Sequence, residues 1–282
     1  MDKRKKILSA VGAVALVVLS YLLFEHFMYV STDDAYVEAH TTLLAPKVQG
    51  YIVKVNVTEG QKVKKDDVLL EIDSRDYENA LVQTKGELAS LEARRRDADR
   101  AFQRIADLYK NGAVSQQQFD TANATHTDTR AKYDAVAAQV AQAQLNLDNT
   151  KIRAPSDGFI AKKSVEIGQL AGAGVPLVGF VDGGERWVTA NYKETDLPHL
   201  KIGSKASVDV DAIKGKTFQG VVESISAATG ATFTLLPPDN ATGNFTKVVQ
   251  RVPVKIRLDN LTDADREILR AGLSANVDVD RH

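Results

Sequence analysis

A motif that occurs twice, with its copies 108 residues apart, is the feature that most constrains the fold of this chain. Residues 44–52 (LAPKVQGYI) return as residues 152–160 (IRAPSDGFI), and Gly60-Gln61 returns as Gly168-Gln169 at the same offset. Alternating apolar residues with Pro and Gly turn signals predict a few short strands in each copy. Two such halves make one small β-domain, so the polar stretch between them is predicted to be a helical hairpin inserted at one of its turns.

The insert, residues 75–150, is predicted to be an antiparallel coiled-coil hairpin because its seam residues recur at alternating steps of four and three. Asn111-Gly112 is a helix stop, and Ser115 with Gln118 three residues later forms a capping box, so the chain reverses at residues 111–115. The predicted seam is Tyr77, Leu81, Thr84, Leu88, Leu91, Arg95, Ala98, Phe102, Ile105 and Tyr109 in the first arm, and Phe119, Ala122, His126, Thr129, Tyr133, Val136, Val140, Ala143, Leu147 and Thr150 in the second.

This seam is only moderately apolar, and Arg95 is its clearest break. Each arm has about 35 residues and would be on the order of 50 Å long. Small and polar seam residues such as Thr84, His126 and Thr129 make a weak coiled coil, so the hairpin is expected to gain stability from packing beside copies of itself. The sequence therefore predicts a homo-oligomer.

The N-terminus predicts a membrane anchor. Residues 3–6 are all basic, and an apolar run follows over residues 7–24. A span of about 20 residues crosses a hydrocarbon core of about 30 Å, and the basic cluster is expected to stay on the cytoplasmic side. A cleaved signal peptide is the alternative, but the run exceeds the usual apolar length of about 7–15 residues. We expect a single-pass membrane protein with most of the chain outside the cytoplasm.

The rest of the chain completes a mainly β fold with an inserted α-helical hairpin. Short alternating runs after residue 182 predict a β-barrel-like domain. Within it, residues 229–247 form a long loop carrying Phe233, Leu235, Leu236 and Phe245, and a loop of that size is usually functional or docked. The predicted organisation is tail and transmembrane anchor (1–30), a linker or strand joining the barrel (31–41), the first half of a lipoyl-like domain (42–74), the hairpin (75–150), the second half (151–182) and the barrel (183–282).

Composition argues against several kinds of chemistry. The charges nearly cancel, with 36 basic and 37 acidic residues, which gives no argument for nucleic acid as a partner. The chain has no cysteine, and its five histidines are scattered, so no metal site is predicted. Carboxylate pairs such as Asp33-Asp34 and Asp66-Asp67 fit turns and caps better than acid-base catalysis. We predict no enzymatic activity and no cofactor.

Four further segments carry a resemblance to a known family: residues 31–37 (STDDAYV), 187–197 (WVTANYKETDL), 235–237 (LLP) with 240–244 (NATGN), and 247–254 (KVVQRVPV). With the paired half-motifs around a hairpin, they make the chain similar to EmrA-type periplasmic adaptors of the HlyD membrane-fusion family. The resemblance implies a tripartite multidrug pump. Its expected partners are an inner-membrane proton-driven transporter of the major facilitator class, a TolC-like outer-membrane channel and further copies of the chain, as a hexamer or trimer.

The same resemblance implies the site residues. Arg104, Leu108 and Ser115 match the pattern by which adaptors of this family dock tip to tip against the channel. The alternative is that Leu108 packs the hairpin end, Arg104 is solvated and Ser115 is only a helix cap. In the long loop, the residues expected to contact a neighbouring subunit or the transporter are Phe233, Leu235, Leu236, Asn240 and Phe245.

Two other functions remain open at this point. The repeat also resembles the lipoyl or biotinyl carrier domain of a multistep enzyme, whose modified lysine sits at the turn between the halves. Here that turn is Asp73-Ser74-Arg75-Asp76 and holds no lysine, while Lys64 and Lys65 belong to an earlier turn. A membrane-tethered scaffold without a transport role would fit the anchor and the coiled coil but leaves residues 235–254 unexplained.

Overall fold

The computed structural model describes residues 28–233 and 248–282, which divide into two compact units. Residues 42–180 form the sandwich and hairpin unit, and the described residues before 42 and after 180 form the barrel unit. Strands β1 (Tyr29–Leu44) and β8 (Val178–Lys193) run from one unit into the other. The predicted anchor lies almost wholly outside the described residues, and within them no helix combines the length and apolarity needed to cross a membrane.

The sandwich is built from short strands on either side of the hairpin. Before the hairpin come β2 (Gly50–Val55), β3 (Lys62–Val63) and β4 (Val68–Ile72), and after it come β5 (Lys151–Arg153), β6 (Gly158–Lys163) and β7 (Leu170–Ala171). Each half pairs a strand with the other half, since β2 pairs with β7 and β6 pairs with β3. The two halves of the repeat are therefore interlocked, and one core is shared between them.

The repeat is visible in the backbone as well as in the sequence. Gly60 donates its N–H to the carbonyl oxygen of Ile160 at 2.7 Å, and Gly168 donates to that of Ile52 at 2.8 Å. Asp66 adopts a left-handed conformation with φ 68°, and its equivalent Gly174 has φ 79°. Positions that need this conformation favour glycine, with Asp and Asn next. The predicted split β-domain is thus a pseudo-symmetric pair of halves.

The hairpin consists of α1 (Arg75–Lys110) and α2 (Gln116–Asp148), which pack against each other as an antiparallel pair. Every predicted seam residue except Tyr109 is at least half-buried. Within the two helices only Leu81 and Val136 are buried, and Thr150, which is also buried, lies just beyond the end of α2. The periodicity therefore predicted the correct faces. The same pattern of burial shows how shallow the seam between two isolated helices is.

In the barrel unit, β1 and β8 are joined by β9 (Lys205–Val210), β10 (Thr217–Ile225), β11 (Arg251–Leu258) and β12 (Ser274–Asp280), with short 3-10 helices at Leu197–His199 and Gly230–Phe233. These six strands of the described residues pair in a closed order, β1-β12-β9-β10-β11-β8, with β8 pairing back to β1. Where the pairing is regular, alternate residues of these strands point inward, as the two-residue period of a strand requires. The largest fully buried side chain in this unit is Tyr192, which packs in a mainly aliphatic core.

Strand β1 changes phase within the barrel at an irregularity between Thr32 and Ala35. Val30 is buried before it, and Ala35 and Val37 are buried after it. An extra residue in one strand breaks the alternation of inward and outward side chains. The irregularity therefore leaves two consecutive residues, Asp33-Asp34, outside the inward-facing set.

One end of the barrel is fixed by buried polar groups. Arg186 is 4% exposed and donates to the carbonyl oxygens of Asp182, Glu185 and Leu269 at 2.7, 2.8 and 3.0 Å. Burial lowers the pKa of this guanidinium, but three carbonyl acceptors compensate for the lost water.

Nearby, helix α3 (Asp263–Ile268) begins with a capping box between Thr262 and Asp265. Lys216 also contacts the Asp265 carboxylate. The hydrogen bonds from Lys216 and Thr262 hold the pKa of the Asp265 carboxyl down to about 2.

The prediction of a mainly β chain with barrel-like domains and an inserted helical hairpin is confirmed.

Candidate functional site

The hairpin tip begins where α1 ends in two backbone hydrogen bonds that close the last turn. Gly112 donates to the carbonyl oxygen of Tyr109 at 3.0 Å, and Ala113 donates to that of Leu108 at 2.9 Å. This pair of bonds is a Schellman motif, which needs a left-handed residue after the helix. Gly112 meets that need with φ 70°. The Asn-Gly stop predicted from sequence is therefore a tight turn.

The second helix of the tip starts with the predicted capping box. The Ser115 hydroxyl accepts a hydrogen bond from the Gln118 backbone N–H at 3.3 Å, and the Gln118 side-chain oxygen accepts one from the Ser115 N–H at 2.9 Å. Two N–H groups at the helix start are thereby satisfied. Ser115 is exposed, so this cap lies on the surface of the tip.

The three predicted docking residues have different surroundings. Leu108 lies on the last turn of α1, and its side chain is among the exposed large apolar ones at 44%. Arg104 lies one helical turn before it, also exposed, and no acidic side chain in the described part of the chain pairs with it. Residues four apart share a helix face, so an apolar group and a cation are presented side by side. Their role in docking stays a prediction.

Aromatic rings join the two helices just below the tip. Tyr109 stacks on Phe119 with centroids 4.8 Å apart, and Phe102 lies 5.7 Å from Phe119 and 4.9 Å from His126. Contacts of this kind contribute about 0.5–1.5 kcal/mol each beyond their burial. Sequence reasoning identified these residues as seam positions but missed the ladder that their rings form.

Polar residues in the seam are paired across the hairpin. The Arg95 guanidinium lies over the Tyr133 ring at 4.3 Å, although its buried Nε has no hydrogen-bond partner. His126 Nε2 is 3.0 Å from an Asp99 carboxylate oxygen. Arg95, which breaks the apolar pattern in the sequence, is thus accommodated by a cation–π contact. These pairs hold the two helices together below the tip, where the hairpin has no deep apolar core.

The structure describes little of the predicted contact loop. Phe233 ends the 3-10 helix Gly230–Phe233, while Leu235, Leu236, Asn240 and Phe245 lie outside the described residues. Among residues after the loop, Val248 and Val249 are exposed at 65% and 48%. The contact role of the loop remains a prediction.

Three segments far apart in sequence meet on the outside of the barrel, which sequence reasoning did not foresee. Arg251 lies 2.7 Å from an Asp34 carboxylate oxygen, and the Asn191 side chain donates to the other oxygen of Asp34 at 3.3 Å. The Thr32 hydroxyl donates to the Asn191 carbonyl oxygen at 2.9 Å. Residues of this cluster adjoin a polar groove of about 510 Å³. The cluster ties the first strand of the barrel to β8 and β11.

The turn from which the hairpin emerges contains an ion pair between Asp73 and Arg75. The Asp73 carboxylate accepts hydrogen bonds from the Arg75 backbone N–H at 3.1 Å and from its Nε at 3.0 Å. These bonds lower the pKa of the Asp73 carboxyl to about 2. This is where a carrier domain would present its modified lysine, and here the residues lead directly into α1. Among the described residues, no group of His, Asp and Glu side chains is arranged to hold a metal ion.

Two family models match the chain, one for each unit. Residues 40–181 match the barrel-sandwich hybrid domain of the RND membrane fusion proteins, and residues 186–280 match the AAEA-like beta-barrel domain. The first match alone covers half of the chain, and the second continues almost to its end.

Curated proteins and solved structures agree with these matches. The chain is 37% identical to the fatty acid resistance protein FarA of Neisseria gonorrhoeae, over 88% of this chain and 75% of that protein. It is 30% identical to the colistin resistance protein EmrA of Acinetobacter baumannii, over 99% and 96%. The solved structure of the periplasmic adaptor EmrA superposes with a TM-score of 0.51 at 19% identity, over 90% of this chain and 99% of that one, and shows the same fold.

Proposed function

Because the chain belongs to the membrane-fusion-protein family of EmrA-type adaptors, we propose that it links an inner-membrane drug/proton antiporter of the major facilitator class to a TolC-like outer-membrane channel. Adaptors of this family act with an inner-membrane transporter and an outer-membrane channel in tripartite efflux pumps. The proposed work of the chain is geometric: it seals a conduit so that toxic compounds leave the cell without entering the periplasm.

The observation that carries this proposal is the form of the hairpin tip. Two helices converge on a turn closed by backbone bonds, and the 44% exposed Leu108 lies one turn from Arg104, which pairs with no acidic side chain among the described residues. An isolated hairpin gains nothing from exposing Leu108 there. An interface would gain the burial of the exposed part of that side chain, about 1 kcal/mol per copy. We propose that Arg104, Leu108 and Ser115 contact the channel.

Several copies of the chain would act together. The shallow seam supports the proposal that hairpins pack side by side in a hexamer or trimer, since two isolated helices bury only one residue each. The apolar residues Leu235, Leu236 and Phe245 of the long loop are costly to leave in water. With Phe233 and Asn240, they are proposed to contact a neighbouring subunit or the transporter. We also propose a single inner-membrane anchor within residues 1–30.

The carrier and scaffold functions are less well supported. A carrier needs a lysine where the hairpin emerges, and Asp73, Ser74 and Arg75 occupy that turn instead. A scaffold without transport would not account for the match of both units to efflux adaptors. The family has a non-enzymatic role, which agrees with the absence of a predicted catalytic site.

The test is a Leu108→Asp substitution. On the exposed last turn of α1, this change should alter folding stability by no more than about 0.5 kcal/mol. Within a tip-to-tip interface it would desolvate a carboxylate, a penalty of several kcal/mol that recurs in every copy. Drug resistance of a deletion strain complemented with the variant should collapse while expression and melting temperature stay normal.

The matched control is Val82→Asp, since Val82 is a 70% exposed apolar residue of the same helix, about 39 Å from Leu108 along its axis. This control should retain resistance. Arg104→Ala should give a milder loss than Leu108→Asp, because it removes a donor without burying a charge. Full resistance with Leu108→Asp, together with undiminished crosslinking to the channel, would show that the tip is not the docking site.

A further inference from the structure

One end of the barrel brings together four distant segments of the chain. Tyr29, at the start of β1, pairs with Asp280 at the end of β12. Just beyond that pair, His282 donates its backbone N–H to the His199 carbonyl oxygen at 3.2 Å, so the loop between β8 and β9 lies at the same end. The segment that leads into β11 joins them, because the end of β8 pairs with the start of β11. These four segments therefore share one surface.

This surface exposes large apolar side chains, and we call it the apolar end. They are Met28 (47% exposed), Tyr29 (38%), Ile202 (68%), Val248 (65%) and Val249 (48%). None of the five belongs to the barrel core or to the apolar residues packed against it. At the opposite end, where β1 and β8 continue into the other unit, the large apolar side chains that the described residues expose are Tyr36 and Ile268. Exposed apolar groups gathered in one patch mark an interaction surface.

The sequence just before the barrel indicates what covers the apolar end. The apolar run proposed as the anchor ends at Phe24, and only residues 25–28 separate it from Tyr29. An extended chain advances at most about 3.6 Å per residue, so Tyr29 lies within about 18 Å of the hydrocarbon core. The headgroup layer is itself about 5–8 Å thick. The chain is therefore too short for a spacer between the membrane and this end of the barrel.

The chemistry of the apolar end suits the interface between lipid and water. Tyrosine is enriched at membrane interfaces because its ring is apolar and its hydroxyl stays hydrated. Exposed charges of both signs lie nearby, among them Lys201, Lys205 and Asp280. Attraction to anionic headgroups is weak where both signs are present, so burial of the apolar side chains has to supply the binding.

We propose that the apolar end rests on the periplasmic surface of the inner membrane and inserts its side chains among the phospholipid headgroups. The partner is the bilayer itself, with no requirement for anionic lipid and none for the transporter. The contact holds the barrel against the membrane at a second point besides the anchor. This inference rests on the anchor of the proposed function and goes beyond it, because an anchor alone does not require the barrel to touch lipid.

The absence of cysteine from all 282 residues allows one spin label to be placed at a chosen site. Ile202→Cys and Val249→Cys put the label on the apolar end, and Ile268→Cys puts it on the opposite end as the matched control. The full chain is reconstituted without a transporter into phosphatidylcholine vesicles. Power saturation then compares collisions with oxygen, which concentrates in lipid, and with a water-soluble nickel chelate. Relative to the label at 268, the labels at 202 and 249 should lose accessibility to nickel and gain accessibility to oxygen.

Three results would overturn the proposal. The first is water-like accessibility at both 202 and 249. The second is lipid-like accessibility that appears only when a transporter is added, since the transporter would then be the occupant. The third is lipid-like accessibility that disappears when the copies are diluted across more vesicles, since a second copy of the chain would then cover the surface.

A second readout needs no label. Ile202→Trp and Ile268→Trp each add one indole to that of Trp187, and brominated phosphatidylcholine quenches indoles that it contacts. In brominated vesicles, Ile202→Trp should lose a larger fraction of its fluorescence than the wild type, and Ile268→Trp should not. Equal fractional losses in the two variants would contradict lipid contact at the apolar end.

Two further measurements separate this inference from the proposed function. Release of the chain from membranes at alkaline pH would refute the anchor and the inference that rests on it, whereas a retained chain with water-like labels would refute the lipid contact alone. Wild-type drug resistance with water-like labels would leave the adaptor function standing. Lipid-like labels without resistance would leave the lipid contact standing and refute the transport role.

Discussion

The barrel and the hairpin of this chain are stabilised in opposite ways. The barrel closes on itself around aliphatic side chains, Phe218 and Tyr192, most of them less than 5% exposed. The hairpin has a single fully buried residue in each helix, and its cross-contacts include a cation–π pair and a contact between His126 and the Asp99 carboxylate. Burial of apolar area is the main stabilising contribution in proteins, so the barrel is self-sufficient and the hairpin is not. The part proposed to bind the channel is therefore the part least able to hold its own shape.

The largest expected effect is in the barrel, from Tyr192→Ala. Truncating a large buried aromatic side chain costs about 3–5 kcal/mol through lost transfer free energy and the remaining cavity. The sole tryptophan, Trp187, lies on the same strand, so its fluorescence during urea unfolding reports this loss. Tyr192→Phe is the control and should cost about 1 kcal/mol, since it removes only a 3.4 Å hydrogen bond to the Val277 carbonyl oxygen. A loss below about 1 kcal/mol for Tyr192→Ala would mean that the barrel core is loosely packed.

A smaller, local effect is expected in the hairpin from Phe102→Ala. Phe102 contacts two rings of the ladder and is half-buried, so its loss should cost about 1–3 kcal/mol of hairpin stability. Faster hydrogen exchange in α1 and α2 should report this change, while the Trp187 unfolding curve stays in place. Val82→Ala on the exposed side of the same helix should leave exchange unchanged. A shift of the Trp187 curve would show that the two units unfold together and would break the comparison.

The smallest effect is expected at the turn, from Gly112→Ala. A Cβ there would meet no atom within 4 Å, so the cost is the left-handed backbone alone, about 1–2 kcal/mol. The loss should be confined to exchange of the amides around residues 109–115. Gly112→Asn should recover much of it, because Asn tolerates this conformation better than Ala. Equal effects of the two substitutions would place the strain elsewhere in the turn.

Local periodicity predicted much of this molecule from its sequence. The four-and-three spacing identified the buried face of both helices, and Asn111-Gly112 with Ser115 identified the reversal. Side-chain geometry was less accessible, since the spacing gave no sign that Arg95 would lie over Tyr133. The sequence also did not predict contacts between distant segments. Asp34 and Arg251 are each ordinary charged residues in the sequence, and they meet only because β1 lies close to β11 in the closed barrel.

The hairpin has a further property that follows from where its two ends lie. Ile72 donates its N–H to the Thr150 carbonyl oxygen at 2.8 Å, and Glu71 pairs with Lys151 in neighbouring strands. The chain therefore leaves the sandwich and returns to it at one place, and the strand pairing there does not depend on the length of the hairpin. Removing seven residues from each arm would shorten the hairpin by about 10 Å and keep the seam in phase. The alignment with the Acinetobacter EmrA is longer than this chain, so that relative carries segments absent here. In such an architecture, the length of the hairpin can change through paired insertions or deletions while the folded base stays the same.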